Sequence, residues 1–504
     1  MSDEALLVGL DVGTSSAKAV LMDSSGEVLA VSAPEYDFQT PQPLWVESNP
    51  EDWYEASVQA IQEVLEAAGS RKIRGLGLTG QMHGLVLLDA EGAVLRPCIM
   101  WNDQRTAEEC RELTEAVGEE KVLQITGNPI LAGFTAPKIR WVEKNEPEVF
   151  SRIAHILLPK DYLRYRLTGA FATDVADASG TALLNVGRRQ WSERMCEACQ
   201  VSPEWLPELH ESAEPSAIIS ASGASATGLP QGLPVAAGAG DQAAQAVGSG
   251  IIKEGVLSAT LGTSGVVFAH SKNFKVEPEG RLHAFCSAVP GEWHLMGVML
   301  SAAGSFQWFR NTLGDLERER EASGGADAYT QLIDLAKAVP PGAEGLIFLP
   351  YLSGERTPHP DPLARGAFIG LTLRHKKGHL VRSVLEGITF GMRDSLELMR
   401  GLGVDPETVI ISGGGVRSSL WRQMMADIFQ AKVATVNAAE GAAFGAALLG
   451  GAASGVFESV EAACRATLRE TGSEEPKASV EYDQAYRIFQ ELYPTLKETF
   501  PQLG

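Results

Sequence analysis

A segment near the start of the chain returns about half the chain later. Val8-Gly9-Leu10-Asp11-Val12-Gly13-Thr14-Ser15-Ser16 resembles Leu257-Ser258-Ala259-Thr260-Leu261-Gly262-Thr263-Ser264-Gly265. Each reads as a strand, a Gly-Thr-Ser turn and a returning strand. A repeat at this spacing points to two homologous domains, each opening on a glycine-turn hairpin. Chance recurrence of a Gly-Thr-Ser triplet is the alternative. The length, 504 residues, independently exceeds what one hydrophobic core supports. The glycine-studded stretch Gly248–Gly255 marks the boundary, dividing the chain into residues 1–250 and 251–504. The tail after about Gly450 reads as helical.

Local patterning fills in the first half. An apolar run Ala5–Leu10, a turn Asp11–Ser16 and a run Ala17–Met22 form the hairpin, and Val28–Val31 extends it to a three-stranded meander. Asn49-Pro50-Glu51-Asp52 has the chemistry of a helix start. Tyr54, Val58, Ile61, Leu65 and Ala68 then share one helical face. Ile73–Leu78 is a short strand running into the polar loop Thr79–Gly84. In the second half, Ile410–Ser418 is a glycine-rich corner between a β-branched run and the helix Trp421–Phe429. Trp45, Trp53, Trp191 and Trp205 read as packing or rim residues, and His155, His210 and His375 as surface or satisfied ones.

The formal net charge of −22 argues against nucleic-acid and anionic-membrane partners, which need clustered Lys and Arg. The acidic start lacks the basic region of a signal peptide, and no stretch reaches the length of a membrane span, so a cytoplasmic protein is expected. Cys196 and Cys199 have C-x-x-C spacing without a second pair or nearby His, and read as ordinary thiols.

The turn Asp11–Ser16 can gather backbone N–H groups and hydroxyls into an anion nest for nucleotide phosphates. Gly13 permits close backbone approach. Asp11 beside phosphates is favourable only with a bridging cation such as Mg²⁺. Its counterpart in the repeat is Thr260, so the expected site is asymmetric. A plain hairpin turn remains the other reading. The lysine-bearing phosphate loop G-x-x-x-x-G-K-[ST] is absent. Asp241 ends the small-residue run Ala236–Gly240, where it reads equally as a helix N-cap or as a base for a sugar hydroxyl.

Together the loops resemble the FGGY carbohydrate kinases, a branch of the actin, hexokinase and Hsp70 superfamily. Gly133–Asn145 is similar to one family signature, and Gly366–Leu371 through His379-Leu380 to Ser383–Glu386 to the other. Gly80–Gly84, Trp101–Arg105, Leu158–Leu163 and Tyr351–His359 are similar to strings in the members that act on D-xylulose. The resemblance implies an α/β fold of two actin-like (ribonuclease H-like) domains with the active site in the cleft between them. It implies phosphorylation of D-xylulose to D-xylulose 5-phosphate, with ATP and Mg²⁺ and with sugar and nucleotide as the partners; it admits a homodimer.

Residue by residue, Asp241 matches the catalytic base and Asp11 the metal-side acid, with Mg²⁺ between them. Gln81, Met82, His83 and Gln242 match the substrate pocket. Gly13, Thr14, Ser15, Gly262 and Thr263 match the phosphate loops. Ala303, Gln307, Gly414 and Ser418 match the nucleotide site. One departure is Gln242, where Asn is expected; glycerol kinases carry Gln there, and the longer side chain would reach further into the pocket. A kinase for ribulose, an alditol or glycerol is the near alternative, and an actin-like ATPase the distant one.

Overall fold

The computed structural model describes residues 5–438 and 440–503. Strands β1 (Leu6–Val12), β2 (Ala17–Asp23) and β3 (Val28–Ser32) form the expected antiparallel meander. The first strand runs past the apolar segment. Asp11 and Val12 pair with Lys18 and Ala17, so the turn begins at Gly13. Strand pairing needs only the backbone groups of Asp11, which leaves its carboxylate free for another task.

Helix α1 (Pro50–Leu65) starts where expected, with the Asn49 side chain accepting from the Glu51 N–H. Its buried face is rotated from the expected one. Trp53, Ala56, Ala60, Ile61 and Val64 are buried, whereas Tyr54, Val58 and Leu65 are half-buried. Trp53 sets the rotation. Its ring is fully buried, and its indole N–H donates to Ser48 at 2.9 Å. Strand β4 (Ile73–Gly80) then lies parallel to β1, and β5 (Pro215–Ile218) and β6 (Pro234–Ala236) complete the sheet, ordered β5-β6-β4-β1-β2-β3. Between β4 and β5 the chain adds a further layer in which helix α2 (Thr135–Asn145) packs in an apolar cluster around Leu87, Phe134 and Ile139, while helix α3 (Pro159–Thr168) packs Tyr162, Leu163 and Leu167 into the core of the first sheet. Trp45, Trp191 and Trp205 pack against that cluster as expected.

Helix α4 (Asp241–Gly248) leads into the second sheet. Its strands are β7 (Val256–Leu261), β8 (Gly265–Ser271), β9 (His283–Cys286), β10 (Trp293–Met299), β11 (Thr408–Gly413), β12 (Lys432–Val436) and β13 (Glu470–Glu474), ordered β9-β10-β8-β7-β11-β12-β13. Strand for strand, β10-β8-β7-β11-β12-β13 repeats the order and directions of β3-β2-β1-β4-β6-β5. The sequence repeat is therefore a repeat of topology, with β9 added at one edge. Helices α5 (Ala303–Leu313), α6 (Ala328–Lys337), α7 (Lys377–Gly401) and α8 (Ser419–Phe429) flank this sheet. The tail is not wholly helical. After α9 (Gly441–Ala453) it supplies the edge strand β13 before α10 (Val480–Leu496). Glu-Thr-Gly-Ser-Glu carries no apolar alternation; this edge strand is held by backbone pairing with β12 and by polar contacts of Glu470 with Lys432, Thr471 with Thr435 and Glu474 with Arg422. No helix among the described residues is long and apolar enough to cross a membrane.

Helix α9 lies not on the second sheet but on the first. It is buried nearly all round, as its composition Gly-Ala-Ala-Phe-Gly-Ala-Ala-Leu-Leu-Gly-Gly requires. Contact is backbone to backbone. A Cβ on Gly77 would stand 1.7 Å from the Ala446 carbonyl oxygen, and one on Gly9 1.9 Å from that of Ala443. On its other side α9 meets α4, where a Cβ on Gly445 would stand 1.8 Å from the Ala244 oxygen. Adding a methyl group at Gly77 must therefore push α9 off the sheet. Gly77→Ala is expected to cost about 1–3 kcal/mol and to lower Tm. Gly401→Ala, in open space at the end of α7, should leave Tm unchanged or slightly raised. Equal melting curves for wild type and Gly77→Ala would refute the close-packing account.

Candidate active site

Three adjacent strand ends assemble the site. Asp11 and Val12 at the end of β1 pair with Thr79 and Gly80 at the end of β4, and Gly80 bridges to Gly240 just beyond β6. The pleat thus sets Asp11 and Gly13, Gln81–His83, and Asp241 side by side. Asp241 is the first residue of α4, and Gly240 occupies the N-cap without a side-chain bond; the Asp241 carboxylate accepts from the Gln242 N–H and side chain.

The hairpin turn is tied down more firmly than a flexible phosphate loop. The Gly13 N–H donates to the Ser16 carbonyl at 2.9 Å, so Gly13 offers close approach and not the donor expected of it. Its own carbonyl accepts from Tyr36 Oη at 2.7 Å and from Gln81 Nε2 at 3.0 Å. Gln81 therefore spends its amide group on the turn, leaving only a buried Oε1 for other use. Thr14 Oγ1 accepts from the Trp101 indole at 3.0 Å, and Ser15 stands exposed. Tyr36 was invisible to sequence reasoning, since a lone Tyr after a meander carries no motif.

His83 is held in the left-handed region, at φ 69°. Its Nδ1 donates to the Gly180 carbonyl at 2.6 Å, because a carbonyl can only accept. Burial pushes its pKa down to about 3, so the ring is neutral and Nε2 carries a lone pair. Phe134 stacks on it at 4.7 Å. Met82 is buried and lies against Gly240, where a Cβ would stand 2.9 Å from its Cγ.

The acids carry the electrostatic signature of the site. Burial first, and then Asp11, raise Asp241 to about 7; hydrogen bonds from Gln242 pull the other way. Burial raises Asp11 to about 6, opposed by Lys18. Asp11 Oδ1 is buried with no hydrogen-bond partner among the described residues. Thr260, its counterpart in the repeat, is by contrast satisfied at 3.0 Å by Ser412. Two desolvated carboxylates that repel one another, one with an orphaned oxygen, fit a divalent cation. No group of three or more His, Cys, Asp or Glu side chains among the described residues forms an all-protein metal cage.

Across the cleft, Gly262 and Thr263 form the turn between β7 and β8. Their carbonyls accept from the N–H groups of Ala303 at 3.0 Å and Gly304 at 3.1 Å, tying this loop to the start of α5. Ala303, Gly414 and Ser418 line a cavity of about 480 Å³ with Tyr329, Thr330 and Trp421, a size suited to a nucleoside. A Cβ on Gly414 would meet nothing within 4 Å, so its backbone is open to a flat ligand. Ser418 also caps α8, accepting from the Trp421 N–H at 3.3 Å. Gln307 is exposed on α5 and does not line the cavity.

Residues 6–248 match the model of the FGGY family of carbohydrate kinases, N-terminal domain, and residues 257–454 that of the C-terminal domain. The chain is 44% identical over 423 residues to the xylulose kinase of Escherichia coli (strain K12), covering 84% of each chain. It is 38% identical over 496 residues to the xylulose kinase of Bacillus subtilis (strain 168), covering 98% of this chain and 97% of that one. The crystal structure of xylulose kinase from Rhodospirillum rubrum superposes with a TM-score of 0.91 at 33% identity, covering 98% and 99% of the two chains.

The raised acids make a stability forecast. A carboxyl whose folded pKa exceeds its unfolded value binds a proton that the unfolded chain has lost, so stability falls as pH rises across that window. For Asp241 the window runs from its ordinary 3.8 to about 7. Asp241→Asn, free of ligands, should therefore melt at a higher temperature than wild type near pH 8, with the difference shrinking near pH 4. A pH-independent difference would mean that Asp241 is not buried as a charge.

Proposed function

Because the chain belongs to the FGGY family of carbohydrate kinases, we propose that it transfers the γ-phosphoryl group of ATP to D-xylulose, giving D-xylulose 5-phosphate. The observation that carries this reading is the convergence of Asp241 and a neutral His83 at adjacent strand ends. The names of the similar kinases support the choice of sugar. In this reading residues 1–250 hold the sugar and residues 251–504 the nucleotide, whose base and ribose enter the cavity beside Gly414.

His83 Nε2 accepts a hydroxyl of the open-chain ketose and fixes its position against Met82. The terminal hydroxyl donates to Asp241. As its oxygen bonds to the γ-phosphorus, the O–H proton passes to the Asp241 carboxylate and the bond from phosphorus to the β–γ bridging oxygen breaks, releasing ADP. A carboxyl raised to about 7 is a stronger base than an ordinary Asp yet still substantially ionised near neutrality. Asp11, with Asp241, would hold Mg²⁺, which supplies neutralisation of phosphate charge. The turns at Gly13 and Gly262 let the backbone approach the phosphates, and closing the cleft excludes water.

A panel of pentuloses, alditols and glycerol, assayed for ADP release, should give D-xylulose the highest kcat/KM. A better acceptor among them would overturn the sugar assignment, and ATP hydrolysis unaffected by any sugar would point to an actin-like ATPase. Asp241→Asn should lose about 10²–10⁴ in kcat with the sugar KM nearly kept. Full activity in that variant would remove Asp241 from the chemistry. Asp11→Asn should raise the Mg²⁺ concentration needed for half-maximal rate; an unchanged requirement would exclude it as the metal-side acid.

A further inference from the structure

The string Gly133–Asn145 holds a residue that the reaction as described does not use. Lys138 lies in the first turns of α2 and is fully buried. Its Nζ donates to the His83 carbonyl at 2.8 Å and to the Gly133 carbonyl at 2.7 Å. Among the described residues, no carboxylate comes within ion-pairing distance of it. An ammonium stripped of water and hydrogen-bonded to carbonyls is costly, and burial pushes Lys138 down to about 7 from the ordinary lysine range, opposed in part by the Cys98 thiol and the Asp103 carboxylate.

What the two carbonyls have in common is the sugar pocket. The His83 carbonyl belongs to the residue with left-handed backbone, and Thr135 Oγ1 reaches the same oxygen at 3.1 Å. The Gly133 carbonyl belongs to the loop that presents Phe134, whose ring stacks on His83 with an interplanar angle of 19°. Gly133 itself has no room for a side chain, since a Cβ would stand 2.5 Å from the Trp101 oxygen. The opposite edge of the His83 ring is held by Gly180, where a Cβ would stand 2.5 Å from the ring. Backbone, ring face and ring edge are therefore each held, and one ammonium joins the first two.

We propose that Lys138 is a positioning residue of the sugar pocket: it clamps the His83 turn to the Phe134 loop so that His83 Nε2 faces the substrate hydroxyl. This rests on the reading of His83 as a sugar contact. Lys138 acts only through His83, so its loss should matter only while His83 is present.

The test is a double-mutant cycle on the full chain with D-xylulose as substrate. His83→Ala should lower kcat/KM by about 5- to 150-fold through loss of a buried hydrogen bond. Lys138→Met, which keeps the stem and removes the donors, should fall in a similar range, with ATP binding in the absence of sugar retained. The double variant should be no worse than the poorer single one, and Lys138→Arg should recover part of the loss. Multiplying losses in the double variant, or a normal kcat/KM for Lys138→Met, would overturn the clamp. If Lys138→Met does not fold, the same cycle is run with Lys138→Arg, whose own effect must vanish in the His83→Ala background. A silent His83→Ala would instead overturn the reading beneath it, a result separable from failure of the clamp alone.

Discussion

Helix Gly441–Ala453 touches the first sheet through bare backbone, and the rest of the cleft is arranged around that contact. Gly9, Gly75 and Gly77 remove side chains from β1 and β4 where the helix lies, and Gly445 does the same where it meets Asp241–Gly248. Such closeness leaves little freedom to slide or tilt, because interiors resist changes of even one methylene. The helix that begins at Asp241 is thereby fixed against the sheet whose strand ends carry Asp11 and His83. Just before the helix Gly441–Ala453, Glu440 accepts from Lys18 at 3.3 Å, and Lys18 pairs across the hairpin with Asp11. A segment late in the chain thus bears on the geometry of its first strand.

Around that frame the first half concentrates charge where water is excluded. Lys160 Nζ stands 2.6 Å from Asp161, 2.9 Å from Asp174 and 3.4 Å from Asp177, with all four side chains fully buried. Arg164 donates to the carbonyls of Ala236 and Ala237, and Ser212 bonds Asp174 at 2.6 Å. This network lies behind the segment leading to Asp241, and Asp177 comes within 3.2 Å of where a Gly240 Cβ would stand. Ion pairs of this kind contribute little net stability, since desolvation offsets their attraction. The network adjoins the Gly238–Asp241 segment directly, since the Gly238 N–H donates to the Ser212 carbonyl at 2.9 Å. Carboxylate oxygens without a hydrogen-bond partner among the described residues remain within the network as well, on Asp161, Asp174 and Asp177, and burial raises Asp177 well above the usual carboxylate range.

How much of this was legible follows from what each feature depends on. The repeat around Gly13 and Gly262 was readable because a hairpin is local, and its topology followed. The helix at Pro50 was readable at its cap but not in its rotation, which Trp53 decides through the packing of a whole ring. The edge strand Glu470–Glu474 has no apolar signature, so it passed for helix. The packing of Gly441–Ala453 on the wrong half of the chain is a long-range fact, written only as glycines in strands that could equally have marked bulges. In the site, Asp11 and Asp241 were singled out from their local pattern and His83 from family likeness, and the strand register sets the ends that carry them side by side. Lys138 and Tyr36 were missed as functional because their partners are backbone carbonyls, which no side-chain pattern reports.

The two halves share a fold and divide the chemistry, and the division can be traced to one pair of equivalent positions. Asp11 and Thr260 both stand two residues before the turn glycine and face the neighbouring parallel strand. Thr260 finds Ser412 there and Gln245 within 3.4 Å, so its hydroxyl closes a neutral network that any ligand would have to break. Asp11 faces Thr79 and leaves an oxygen without a partner. In the proposed reading, a carboxylate in place of Thr260 would put a second desolvated charge beside the phosphates, and a threonine in place of Asp11 would remove the oxygen offered to a cation. In the proposed kinase reading the repeat is broken at this point: one hairpin keeps a carboxylate oxygen without a partner among the described residues, and its twin carries a neutral, hydrogen-bonded hydroxyl.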